Sequence, residues 1–183
     1  IIFIILLSLN NNLFFMHIIR ILKFIISFLE LILAMSFYSF VLILLISLFT
    51  FNFDPIEYVY SSTSNRTLPG IIFGFGNYIG ISGFYFAVIY LRKMIKNLSK
   101  GNIFIHDNTK FLKRSGIFAT ISSLVLFALS FSEKFIFLEE KNNQDTSQFF
   151  LITFTLVTGL SFIVISRILA ESTKIKEENE LTI

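Results

Sequence analysis

The residues able to do chemistry are few, and most of their combinations fail on spacing. His106 stands next to Asp107, the pair of side chains from which a general base is built. Adjacent residues on a turn point apart, however, and no Ser is spaced to serve as the nucleophile. His17 and His106 are the two histidines, and cysteine is absent. That excludes a disulfide, a thiol nucleophile and the usual zinc clusters. "GIIFGFGNYIGISG" (Gly70 to Gly83) invites a nucleotide reading, but Gly74-x-Gly76-x-x-x-Gly80 is not G-x-G-x-x-G and lies inside an apolar run. Gly76 and Gly80 instead form a small-residue face for close helix packing, either within one chain or between copies as a homo-oligomer. Asn77 beside them could add an interhelical hydrogen bond. Glu30, at the edge of an apolar run, is either an ion-coupling group or a partner for Arg92 or Lys93. The expectation is a protein that is not an enzyme, with no catalytic, cofactor or metal site.

The elements that position these residues are built for lipid. The chain is 55% apolar with 25 Phe, and only 15% of it is charged. Its mean hydropathy is +0.79. Charge is confined to a few segments, which marks an integral membrane protein. The predicted fold is all-α, a bundle of four transmembrane helices over about 27–51, 70–91, 115–132 and 148–167. Each span must be helical, because a segment in hydrocarbon has to satisfy its own backbone hydrogen bonds. The third run is the shortest and is marginal against the roughly 20 residues a crossing needs. Residues 1–15 precede Met16 and read either as an extension upstream of the start or as a short extra hydrophobic segment. Residues 16–183 read as one membrane domain.

Lys and Arg orient it. Arg20 and Lys23 precede the first span. Arg92, Lys93, Lys96, Lys100, Lys110, Lys113 and Arg114 lie between the second and third, and Arg167, Lys174 and Lys176 follow the fourth. The other side has only Arg66, Lys134 and Lys141. Twelve against three predicts both termini inside (N-in, C-in), a cytoplasmic basic loop at 92–114 and a cytoplasmic tail at 168–183. The inner face would then meet anionic lipid headgroups, while direct nucleic-acid binding is not expected of cations beside hydrophobic spans.

"SKGNIFIHDNTKFLKRSG" (Ser99 to Gly116) joins the second and third helices. Gly101 suits the left-handed position that ends a helix. Asp107 or Asn108 would cap the next one, and Phe104 would pack between the two helix ends. Leu98-x-x-Gly101-x-x-Phe104-x-x-x-Asn108-x-x-x-Leu112-x-x-x-Gly116 resembles the central motif of the bacterial membrane family known as domain of unknown function 2975, which reads like "LKxGxPFTxENxxRLRxIG". The ending "KIKEENELTI" (Lys174 to Ile183) resembles that family's ending as well. Family Pro and Thr beside the Phe are Ile103 and Ile105 here, and a Gly before the terminal motif is Ser172.

The resemblance covers roughly Met16 to the end. It implies a small multi-pass protein of the bacterial cytoplasmic (inner) membrane with no established activity, its gene often beside one for a small helix-turn-helix regulator. The tail carries Glu171, Glu177, Glu178 and Glu180 opposite a loop of net +6. It reads as a clasp onto the loop, as a docking peptide anchored by Leu181 and Ile183, or as a solvated end. The leading expectation is a non-enzymatic membrane component that binds a cytosolic regulator through Lys100, Gly101, Phe104, Asn108, Glu178, Asn179, Leu181 and Ile183. The alternative is a small transporter or immunity-type protein using Glu30 and Asn77 within the bundle.

Overall fold

The computed structural model describes residues 2–50, 68–101, 103–136 and 146–181, with side chains over 16–50, 74–101, 103–132 and 149–181. They form four helices, α1 (Ile2–Thr50), α2 (Leu68–Leu98), α3 (His106–Ile136) and α4 (Thr146–Leu181). All four are long and apolar enough to cross a membrane, and no strand occurs among the described residues. The connections with Tyr58, Tyr60, Arg66, Lys134 and Lys141 lie outside the described residues or their side chains.

The helices outrun the uncharged stretches that announce them. The third run is 115–132, yet α3 starts at His106 and reaches Ile136. Lys110, Lys113 and Arg114 continue that helix, because long cationic side chains can reach water from a helix end. Most of the basic segment 92–114 is therefore helical, as a stop at Gly101 and a cap at Asp107 or Asn108 imply, and the joint itself is residues 99–105. The tail is helical as far as Leu181.

The bundle is an open row. α1 packs on α2, α2 on α3 and α3 on α4, whereas no Cα of α1 approaches those of α3 or α4 within 8 Å, nor α2 those of α4. Aromatic side chains carry the first contact. Phe40 is buried and stacks on Tyr78 with centroids 3.7 Å apart, and Phe37 packs against Tyr78 and Tyr85 at 5.7 and 5.4 Å. Nearer the basic end, Ile26 of α1 is buried with Val88 and Ile95 of α2.

Glycine sets the other two contacts. A Cβ on Gly76 or Gly80 would meet the side chains of Leu129 and Leu126 of α3, at 2.7 and 2.6 Å. The face expected to pack closely thus packs within the chain, against Leu129 and Leu126. At the α3–α4 contact the approach is backbone to backbone. A Cβ on Gly116 would stand 2.7 Å from the Gly159 carbonyl oxygen, and one on Gly159 would stand 2.9 Å from the Thr120 amide nitrogen. Small residues that let helix backbones meet are the common solution in lipid, where apolar burial drives no association.

Outer surfaces of the row stay apolar, with Phe24, Phe49 and Phe150 exposed by 74, 85 and 69%. In water such continuous exposure would drive aggregation; against acyl chains it is matched. Several buried hydroxyls bond to nearby carbonyls, as Ser115 Oγ donates across the helix pair to the Ala87 carbonyl at 2.8 Å and Ser123 Oγ donates to its own helix at Ala119, whereas Ser47 Oγ and Thr120 Oγ1 find no partner among the described residues.

Gly116→Ala is expected to destabilise the protein by about 1–3 kcal/mol, the range for overpacking a close contact. Gly80→Ala should cost clearly less, since the Leu126 side chain can move aside and the Gly159 backbone cannot. Thermal unfolding in detergent micelles compares the two, and equal losses would contradict the difference in contact type.

Candidate functional site

The charged groups whose side chains the structure describes collect at one end of the row, and a few short-range bonds arrange that end. α2 stops because Gly101 adopts φ +79°, a left-handed conformation that costs a Cβ-bearing residue but not glycine. The Lys100 and Gly101 amides then turn back to the carbonyls of Asn97 and Leu98, each at 3.0 Å. α3 starts five residues later with the Asn108 amide on the Ile105 carbonyl at 3.0 Å. The cap position is therefore Ile105, which has no side-chain acceptor, and the expected caps fall inside the first turn. Asp107 contributes there through its charge, which favours the positive end of the helix dipole.

Asn108 has a different task. It is fully buried. Its Oδ1 accepts a hydrogen bond from Asn97 Nδ2 at 2.9 Å, and its Nδ2 donates to the Ile103 carbonyl at 2.9 Å. The residue singled out for partner contact thus ties the end of α2 to the start of α3 and presents no surface. Asn97 went unnoticed in the sequence. The available signal was an amide on each side of the Gly101 turn, close enough for the two ends to share a bond.

Glu30 and Arg92 meet at 2.7 Å between α1 and α2, with the carboxylate side chain 17% exposed and the guanidinium side chain 53%. The pair is open enough to water to contribute at most about 1 kcal/mol, but it neutralises Glu30. Asn77 is half-buried and makes no hydrogen bond among the described residues. One turn inside the basic end, the Tyr90 ring has Lys93 Nζ at 5.3 Å and the Arg114 guanidinium at 5.6 Å from its centroid. The sequence did not reveal this grouping, although the two cations bracket the second and third apolar runs.

Phe104 does not fill the gap between the two helix ends. It lies on α4, lining an open cleft of about 390 Å³ with Ser172, Ile175, Lys176, Asn179 and Glu180. Lys176 Nζ sits 5.9 Å from its ring centroid. The α2–α3 joint and the tail therefore meet at Phe104, through an apolar and cation–ring contact. The tail is stiffened by Lys174–Glu178 and Lys176–Glu180 pairs at i, i+4, at 3.7 and 3.5 Å. Lys100, Gly101, Glu178, Asn179 and Leu181 are exposed around this corner, while Ile183 lies outside the described residues. His106 and Asp107 are exposed too. Among the described residues no three acidic or histidine side chains come close enough to hold a metal ion.

A family model described as "Protein of unknown function (DUF2975)" matches residues 54–183, a stretch that holds α2, α3, α4 and both motifs but not α1. No curated protein and no solved structure matches the chain.

Asn108→Leu is expected to lower stability by about 1–3 kcal/mol, because it strands the Asn97 amide and the Ile103 carbonyl. Asn97→Leu alone should do less, since Asn108 keeps its bond to Ile103. Detergent unfolding of both variants checks the order, and the reverse order would remove Asn108 from the centre of the joint.

Proposed function

The chain belongs to the DUF2975 family, and from that premise we propose that it is a non-enzymatic component of the bacterial cytoplasmic membrane whose basic joint and helical tail dock a cytosolic protein. The cleft between Phe104 and α4 carries this reading. Phe104 and Ile175 remain 44 and 58% exposed at the charged end of the row, outside the runs that lipid would cover. An apolar anchor set in a rim of charge is the common form of a helix-based docking site. Lys100, Gly101, Glu178, Asn179 and Leu181 would form that rim. The excess of twelve basic residues over three supports placing this end in the cytoplasm.

The partner that fits is a small protein with an apolar side chain for the cleft and acidic groups for the basic joint. A helix-turn-helix regulator, which the family resemblance points to, is the occupant we favour. The transporter or immunity reading draws less support, since Glu30 is already paired with Arg92 and Asn77 makes no hydrogen bond among the described residues.

Photo-crosslinking amino acids placed separately at Phe104 and Ile175 should capture the same cytosolic protein, while one at the outward apolar position Ile165 should not. Phe104→Glu or removal of the residues after Lys176 should reduce capture at Ile175 at least tenfold. Capture that survives both changes would contradict docking at this corner.

A further inference from the structure

A second grouping lies between α2 and α3 and shares no residue with the cleft at the tail. On α2, Phe86, Tyr90 and Lys93 follow one another at helical spacing on one stripe; on α3, Phe111, Arg114 and Phe118 do the same. The two stripes face each other. Phe118 stacks with Tyr90 at 5.7 Å and packs on Phe86 at 5.7 Å, and Phe111 lies 6.4 Å from Tyr90. Lys93 and Arg114 approach the Tyr90 ring from two different helices, on the water side of Phe86 and Phe118, both within 6 Å of its centroid.

Their position along the helices is specific. Arg114 directly precedes the apolar run that begins at Ser115. Lys93 follows the run that ends at Leu91, separated from it only by Arg92, which is committed to Glu30. Neither Lys93 nor Arg114 has a carboxylate partner among the described residues. Both are exposed, and Phe86 below them is 40% exposed. Two cations from different helices, without a carboxylate partner among the described residues, therefore share the Tyr90 ring where hydrocarbon gives way to water, with the exposed Phe86 below them.

We infer that Lys93, Arg114 and Tyr90 form a binding site for the phosphodiester headgroup of an anionic phospholipid, whose acyl chain lies along Phe86 and Phe118. The anion relieves the repulsion between the two cations. Guanidinium and ammonium are the donors that phosphate oxygens accept most strongly, and the depth of the site selects a membrane lipid over a soluble phosphate. The site stands whether or not the tail docks a protein, because it shares no residue with the cleft at Phe104.

Native mass spectrometry of the purified full-length protein, offered phosphatidylglycerol and phosphatidylcholine in equal amounts, tests it. One phosphatidylglycerol should be retained in preference. Lys93→Gln should weaken retention about fivefold, which is ~1 kcal/mol per cation near the surface, and Lys93→Gln with Arg114→Gln about 25-fold. Both side chains are exposed, so neither change disturbs packing. Arg20→Gln with Lys23→Gln removes the same charge from α1 at the same end of the row and should leave retention unchanged. Equal retention of the two lipids, or an equal loss in the α1 double variant, would overturn the site. Displacement of phosphatidylglycerol by millimolar inorganic phosphate would overturn its assignment to lipid.

Discussion

The hydrogen bond from Asn97 to Asn108 closes the α2–α3 joint at one fixed alignment, and the rest of the row follows from that alignment. Two antiparallel helices joined by a tight turn have a single register once their near ends are tied. Each step back along α2 then meets an equal step forward along α3. Ala87 takes the bond from Ser115, Gly83 faces Ser122, Gly80 faces Leu126 and Gly76 faces Leu129. A slip by one residue would turn every one of these small residues away from its partner. Asn108 is also the largest fully buried polar side chain among the described residues. Such a group is tolerated only where its bonds are complete, and that requirement makes the alignment specific.

From that pair the register spreads outward. α4 is placed by the Gly116–Gly159 backbone contact, and the same antiparallel run carries Ser172 and Ile175 up to Phe104. On the other flank, Phe37, Phe40 and the Glu30–Arg92 pair place α1 on α2. Because the row does not close on itself, its outer faces stay open to lipid, and among the described side chains the charged groups concentrate at the end that carries the joint. The spans hold little polar chemistry, so the functional reading rests on this end.

Much of the architecture was legible in the sequence, because the bilayer imposes a single strong rule on apolar segments. Four helices and the stop at Gly101 follow from composition and local backbone preference, while charge narrowed the partner of Glu30 to Arg92 or Lys93, of which the structure shows Arg92. The uncharged run 115–132 falls short of α3 at both ends, since it measures hydrophobicity and not helicity, whereas a cap expected at Asp107 or Asn108 lies within two residues of the observed start at His106. Ile105 explains the missed cap: the helix starts where tertiary contacts hold it, even with no side-chain acceptor to mark the place. Asn108 looked like a surface motif residue because sequence spacing does not report burial. Phe104, Lys93 and Arg114 form their groupings across helices far apart in sequence, and no local pattern encodes such contacts.

The docking reading depends on which side of the membrane the joint occupies. The chain contains no cysteine, so a single introduced thiol reports its own location without background. His106 is exposed beside the joint, whereas Ser62 belongs to the opposite connection in the sequence. In intact cells a membrane-impermeant maleimide should label Ser62→Cys and leave His106→Cys untouched until the membrane is opened. Labelling of His106→Cys from outside would turn the basic end away from the cytoplasm and contradict a cytosolic partner at this site.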